Sequence, residues 1–226
     1  MPFCAGIPVL GIALLLLPTL PTAEEVVLRF QEKLGKLVYL RARFIQSFHS
    51  ETLGSTPSET GILYIKFPDR MRWEYTKPKG KVAVLDGEKT YLYLPEDGQV
   101  IVGKWADLLQ ESPAALLMVG KLEVRKKFMV ERVTEYAGLP RGVDRIRLIP
   151  REPQARFDSI LLDLDRQGTR LRRIEMEDPL GNRVEYRFLN IRENQILADE
   201  LFHFEPPDGV EVQWLEEKAQ DGGRGR

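Results

Sequence analysis

Cysteine occurs once and histidine twice in these 226 residues. A single thiol forms no internal disulfide, and Cys4 has too few residues before it to close a lipid-attachment signal. His49 and His203 lie far apart, and neither has a neighbour at metal-ligand spacing, so no metal centre is expected. Gly-x-Ser-x-Gly, a phosphate-binding loop and a dinucleotide fingerprint are all missing. With no nucleophile and base to pair, an enzyme is not expected, nor a cofactor. An excess of one charge is also missing: 33 basic residues face 34 acidic ones, for a formal net charge of −1. That balance argues against nucleic acid as a partner. No apolar run is long enough to span a membrane. The longest, Ile7 to Leu17, falls well short of the ~20 residues a spanning helix needs.

Charge is absent altogether from Met1 to Ala23. The short apolar run inside this stretch suits the core of a signal peptide, with a retained anchor as the alternative. Small residues follow it, and Thr22-Ala23 precede Glu24-Glu25, which places cleavage after Ala23. Residues 24–219 then form a single domain large enough to bury a proper core, and the polar, Gly-rich stretch 220–226 is expected to be a disordered tail.

What is present is periodicity. Val26, Val27, Phe30, Leu34, Leu37 and Val38 recur at three- and four-residue spacing, predicting a helix over Glu24–Leu40. Ala42, Phe44, Gln46 and Phe48 then alternate as in a strand. Five short strands follow, punctuated by turn residues: Gly61–Phe67, Met71–Thr76, Lys81–Leu85, Thr90–Leu94 and Val100–Val102. Asp86-Gly87 is a strong hairpin signal among those turns. Trp105 to Val119 predicts two short apolar helices, the second begun by Ser112-Pro113 and stopped by Gly120. Strands resume at Phe128–Tyr136, Val143–Ile149, Ser159–Asp165, Arg170–Glu177, Val184–Ile191 and Phe202–Phe204, and Phe204–Val210 reads as a rigid loop. So many strands with one helical insertion favour a mainly β (α+β) fold. The expected form is a strongly curved antiparallel sheet, an unclosed β-barrel, with the N-terminal helix and a short helical lid over an apolar interior.

Five segments resemble one family in order and spacing. They are Phe44-x-Gln46 after the first helix; Gly61 with Lys66-Phe67-Pro68; Trp73; Asp86-Gly87; and Phe202-x-Phe204-x-Pro206-Pro207-x-Gly209-Val210. The family is that of the periplasmic carriers of lipoproteins to the outer membrane, the LolA family. The resemblance implies an unclosed barrel with a helical lid over a hydrophobic cavity. It implies a periplasmic chaperone, a monomer, whose partners are lipoprotein acyl chains, an inner-membrane ABC transporter that releases lipoproteins, and, where one is present, an outer-membrane receptor. One position departs from the pattern. Many relatives carry Arg before the motif proline, where it helps latch the lid; this chain has Phe67, leaving Lys66, Arg70, Arg72 or apolar contact alone to hold it.

On that resemblance the expected lipid-cavity residues are Phe44, Phe48, Leu63, Ile65, Phe67, Trp73, Tyr91 and Tyr93 from the strands. Leu108, Leu109, Leu116, Leu117 and Met118 join them from the lid. Strand parity gives Leu63, Ile65 and Phe67 one wholly apolar face. Ordinary core packing is the alternative for the aromatics. Met71 stands near a sheet rim, with partner contact and plain packing as equal readings. Leu63→Glu and Leu117→Glu are expected to abolish binding with the fold intact. Arg125-Lys126-Lys127 and Arg170-Leu171-Arg172-Arg173 read as solvated faces, with a docking role as the alternative. Two other functions stay open: a module for another lipid or lipidated glycan on the same scaffold, and a protein-binding envelope regulator.

Overall fold

The computed structural model describes residues 20–52, 54–55, 57–104, 113–134, 139–153 and 157–215. Helix α1 (Ala23–Leu34) opens the fold. Strands β1 (Tyr39–Ser50), β2 (Gly54–Ser55), β3 (Glu59–Lys66), β4 (Arg70–Lys77), β5 (Val82–Leu85), β6 (Lys89–Leu94) and β7 (Gln99–Lys104) follow. Helices α2 (Pro113–Met118) and α3 (Val124–Lys127) interrupt the sheet. It continues with β8 (Phe128–Arg132), β9 (Val143–Pro150), β10 (Ser159–Asp165), β11 (Leu171–Glu177) and β12 (Arg183–Glu193). A 3₁₀ turn (Asp199–Phe202) and β13 (Glu211–Trp214) complete the described chain.

All thirteen strands belong to one sheet, ordered β13-β7-β6-β5-β4-β3-β1-β12-β11-β10-β9-β8, with β2 beside β1. Among the described residues the edge strands β8 and β13 do not meet, so the barrel is unclosed. Every pairing is antiparallel except β13 with β7. Two meanders, β3–β7 and β8–β12, are thus joined through β1, which pairs with β3 on one side and β12 on the other.

The inner face carries the main core. Val26, Val27, Phe30 and Leu34 of α1 bury their stripe with Ala42 and Phe44 of β1, Leu63 and Ile65 of β3, and the inward residues of β9–β11. Gly168, in the β10–β11 turn, permits the close approach of α1: a Cβ there would lie 2.5 Å from the Val26 carbonyl oxygen. A smaller apolar layer lies on the outer face. Val82, Val84, Val100 and Val102 are buried there, and the C-terminal segment crosses them with Phe202 also buried. Lys66 and Arg70 hold Asp199, and Arg72 Nη1 donates to the Leu201 carbonyl at 3.3 Å.

Two expectations need correction. The first helix ends at Leu34 rather than Leu40. Gly35, Lys36 and Leu37 close it with tightened turns to Gln31, Lys33 and Leu34, and Tyr39 already belongs to β1. Phe202–Phe204 forms no strand, because Phe202 ends the 3₁₀ turn and both rings are spent covering the outer face. A strand instead forms at Glu211–Trp214, drawn into the sheet by the open edge of β7. Of the two helices expected between Trp105 and Val119, the second is α2, with Gly120 in the left-handed region after it (φ 72°). The first lies outside the described residues.

Candidate functional site: an apolar cavity

Gly61 and Phe44 set the floor. They face each other across β1 and β3, and a Cβ on Gly61 would fall 2.6 Å from the Phe44 ring and 2.3 Å from the Glu74 carbonyl. Only glycine lets that ring lie flat across the next strand. Phe44 in turn meets Trp73 and Tyr75 of β4 edge-on, at 4.8 and 5.0 Å between centroids. Trp73 reaches across to Tyr186 and Phe188 of β12, at 5.3 and 6.3 Å.

Above these rings is a cavity of about 330 Å³. One wall follows a single line of cross-strand partners: Trp73 opposite Ala83, Ala83 opposite Leu92, Leu92 opposite Ile101. Met71 opposite Leu85, Leu85 opposite Thr90 and Thr90 opposite Gly103 make the next line. Ile174 and Met176 of β11, with Tyr186 and Phe188, form the far wall. Ala115 and Met118 of α2 close over it, and Leu215, just after β13, borders it beside Gly103.

The polar tips of the aromatic residues are satisfied. The Tyr75 hydroxyl donates to Gln46 Oε1 at 3.0 Å, and the Trp73 indole N–H donates to the Met71 sulfur at 2.9 Å. Burial pushes the Tyr186 phenol up to about 12, with Glu59 adding to the effect. Burial also pushes the Tyr75 phenol up, helped by Tyr186 and Glu59. Both stay neutral at any physiological pH, which leaves an uncharged, mostly hydrocarbon interior. Such a cavity can take an apolar chain. Among the described residues no group of three or more His, Cys, Asp and Glu could hold a metal ion.

The residues selected from sequence fall into several groups. Trp73 and Met118 line the cavity. Phe44, Leu63, Ile65 and Leu117 lie on the inner side but are packed out of reach, at 1% exposure or less. Glutamate at Leu63 or Leu117 would therefore break the core, so those substitutions cannot test binding with the fold intact. Phe67 packs partly buried against the same core. Phe48 lies beyond the cavity near the end of β1, 37% exposed. Tyr91 lines the cavity too, with its ring turned to Phe204 at 5.5 Å; Tyr93 is corrected, since its ring turns to Phe204 on the outer face, at 6.1 Å. Met71 is 4% exposed and faces the cavity, so it is no rim contact for a partner. The Leu116 side chain, Leu108 and Leu109 lie outside the described residues. Lys66, Arg70 and Arg72, the candidates to replace the missing Arg, instead hold the C-terminal segment. The described part of α2 is held by apolar contact through Leu117 and Met118.

Leu92, Ile101 and the β11–β12 wall were not foreseen. The Asp86-Gly87 hairpin held the signal for the first two, since its register puts Leu92 rather than Tyr91 in line with Ala83 and Trp73. The far wall depends on pairing between strands distant in sequence and left no local signal.

Residues 36–205 match the family described as outer membrane lipoprotein carrier protein LolA. Similar curated proteins include an outer-membrane lipoprotein carrier protein of Nitrosospira multiformis. It is 31% identical over 76% of this chain and 81% of its own length. Another, of Dechloromonas aromatica, is 32% identical over 76% and 80%. Among solved structures, an uncharacterized conserved protein of Thermus thermophilus is similar in fold, with a TM-score of 0.54. It is 13% identical over 85% of this chain and 99% of that one.

Proposed function

Because the chain belongs to the LolA family of outer membrane lipoprotein carriers, we propose that it is a periplasmic chaperone that shields lipoprotein acyl chains between the inner and outer membranes. The cavity roofed by α2 is the observation that carries this reading. Its walls are almost wholly apolar, and its volume is at the low end for ligand sites, which run from about 300 to 1,000 Å³. On this reading the uncharged leader exports the chain. An inner-membrane ABC transporter loads it, and an outer-membrane receptor unloads it.

The energetics favour partial burial of cargo. Burying one CH₂ is worth about 0.8 kcal/mol, so a chain of roughly sixteen carbons gains about 12 kcal/mol. Three chains buried in full would exceed the practical ceiling near ~20 kcal/mol for non-covalent binding. A carrier holding cargo that tightly could not pass it on. A cavity of about 330 Å³ supports limited burial, with the cost of moving α2 set against the gain.

The test adds purified protein to spheroplasts making a labelled outer-membrane lipoprotein and measures label in the soluble fraction. A soluble one-to-one complex is expected. Leu92→Glu and Ile101→Glu, half-buried on the cavity wall, should keep the fold and cut release at least about tenfold, since each places a carboxylate against the acyl chain. No release, from spheroplasts that respond to a known carrier, would overturn the reading. Identification of lipid extracted from the protein would then decide between the remaining lipid ligands.

A further inference from the structure

The outer face of β9–β12 carries a second concavity, about 760 Å³ in volume, opposite the apolar one. Its lining includes Arg145, Arg170, Arg172, Arg173, Arg187 and Asp163, and Glu175 and Glu185 pair with the arginines from beside it. Strand alternation separates the two sites. Arg173 points outward beside Ile174, and Arg187 outward between Tyr186 and Phe188, so the same strands line both.

The guanidinium groups are held in place. Arg145 donates through Nε and Nη2 to both Asp163 oxygens, at 2.7 and 2.8 Å. Arg173 Nε lies 3.1 Å from Asp163 Oδ2, and its Nη1 donates to Glu175 and Glu185 at 2.9 and 2.6 Å. Glu185 also holds Arg187 at 2.6 Å. Arg145, Asp163 and Arg173 are each less than a tenth exposed. Arg173 Nη2 is buried with no acceptor among the described residues. Arg170 and Arg172 are exposed at the margin and form no ion pair among the described residues.

Stability alone does not explain this arrangement. Arg173 faces Arg187 directly across β11 and β12, with Glu185 between them. Like charges in opposed positions cost stability. Two bulges also converge here. One, between β10 and β11, leaves Arg172 as the extra residue. The other, between β1 and β12, falls at Asn190, whose φ of 52° lies in the left-handed region. Arg172 and Asn190 both line the concavity. Bulges bend a strand and re-aim its side chains, and they concentrate beside functional sites.

We propose that this concavity binds a phosphate group, presented by a free organic phosphate or by a phospholipid headgroup. Guanidinium forks match phosphate oxygens two at a time; Asp163, Glu175 and Glu185 pair with Arg145, Arg173 and Arg187, which leaves the charges of Arg170 and Arg172 for a group carrying more than one negative charge. Val143, Leu189 and Ile191 beside the arginines leave an apolar margin for the organic part of the ligand. The site does not depend on the lipoprotein reading.

Calorimetry with inorganic phosphate and pyrophosphate at low salt tests it. Saturable one-to-one binding is expected. Arg170→Gln with Arg172→Gln should weaken it roughly tenfold or more, the value of one charge-assisted hydrogen bond. Lys79→Gln with Lys126→Gln removes the same charge elsewhere and should leave it unchanged. Both double variants alter exposed side chains and should melt like the parent. With phosphate binding in hand, cosedimentation with phosphatidylglycerol vesicles that the arginine variant loses identifies a headgroup as the source. No cosedimentation identifies a free phosphate. Either no saturable phosphate binding, or equal weakening in the two double variants, overturns the proposal. So does vesicle binding without phosphate binding, which would reduce the arginines to a diffuse field.

Discussion

Gly61 shows most directly how one residue shapes the interior. A methyl group there collides with backbone on one side and the Phe44 ring on the other, and Phe44 supports Trp73 and Tyr75. Gly61→Ala should therefore cost about 1–3 kcal/mol, as overpacking does. The measurement is the urea midpoint, together with loss of near-ultraviolet signal from Trp73. Tyr75 and Tyr186 make a second residue-scale prediction. Burial raises both phenols above the ordinary Tyr value of 10. The folded state then keeps protons that the unfolded state releases, so stability falls as pH rises from 10 towards 12. Absorbance at 295 nm should show two of the tyrosines resisting ionisation until the protein unfolds. Full ionisation near pH 10 in folded protein would contradict the buried placement of these rings.

At the scale of elements, α1 and the segment around Asp199 are fastened by different means. Thr22 caps α1: its hydroxyl accepts from the Glu25 N–H at 3.2 Å, and Glu25 reaches back to the Thr22 N–H at 2.7 Å. Arg132 also donates to the Pro21 carbonyl at 2.8 Å. A chain beginning at Glu24 loses all three contacts. It should be less stable than one beginning at Leu20 by about 1 kcal/mol, readable as a lower melting temperature. The C-terminal segment is held on the outer face by Lys66 and Arg70 on Asp199. The hydrogen bond from Lys66 is the main cause that keeps the Asp199 carboxyl below its usual range, with the charges of Lys66 and Arg70 adding to it. That contribution is present above the unfolded value and is lost as pH falls through the folded one. Asp199→Asn should lower the urea midpoint near pH 7, by an amount that shrinks as pH falls below the unfolded value.

At the scale of the whole molecule, one sheet offers two chemically opposite surfaces. Inner alternation gives a hydrocarbon cavity; outer alternation on β9–β12 gives an arginine-lined one. The cavity variants Leu92→Glu and Ile101→Glu should leave phosphate binding untouched, and the arginine variant should leave lipoprotein release untouched if the two faces act separately. Much of this was legible beforehand. The β3–β7 meander is local, and its turn residues mark each strand end to within a residue or two. The far wall at Tyr186 and Phe188 was not legible, because β12 reaches the cavity only through its pairing with β1, far away in sequence.

Sequence alone determined the class of the fold, the turn positions, the inward parity of Leu63 and Ile65, and the resemblance carried by Gly61, Trp73 and the Phe202–Val210 segment. These rest on local rules, in which alternation and turn chemistry act over a few residues. The tertiary structure decided the rest. It set which apolar residues line space and which fill it, sent Tyr93 outward to Phe204, and moved the last strand to Glu211–Trp214. It also turned a run of arginines in sequence into a concavity with its partners from β9, β10 and β12. Those outcomes depend on which distant strands pair and in what register, and a one-residue change of register exchanges the two faces of a strand.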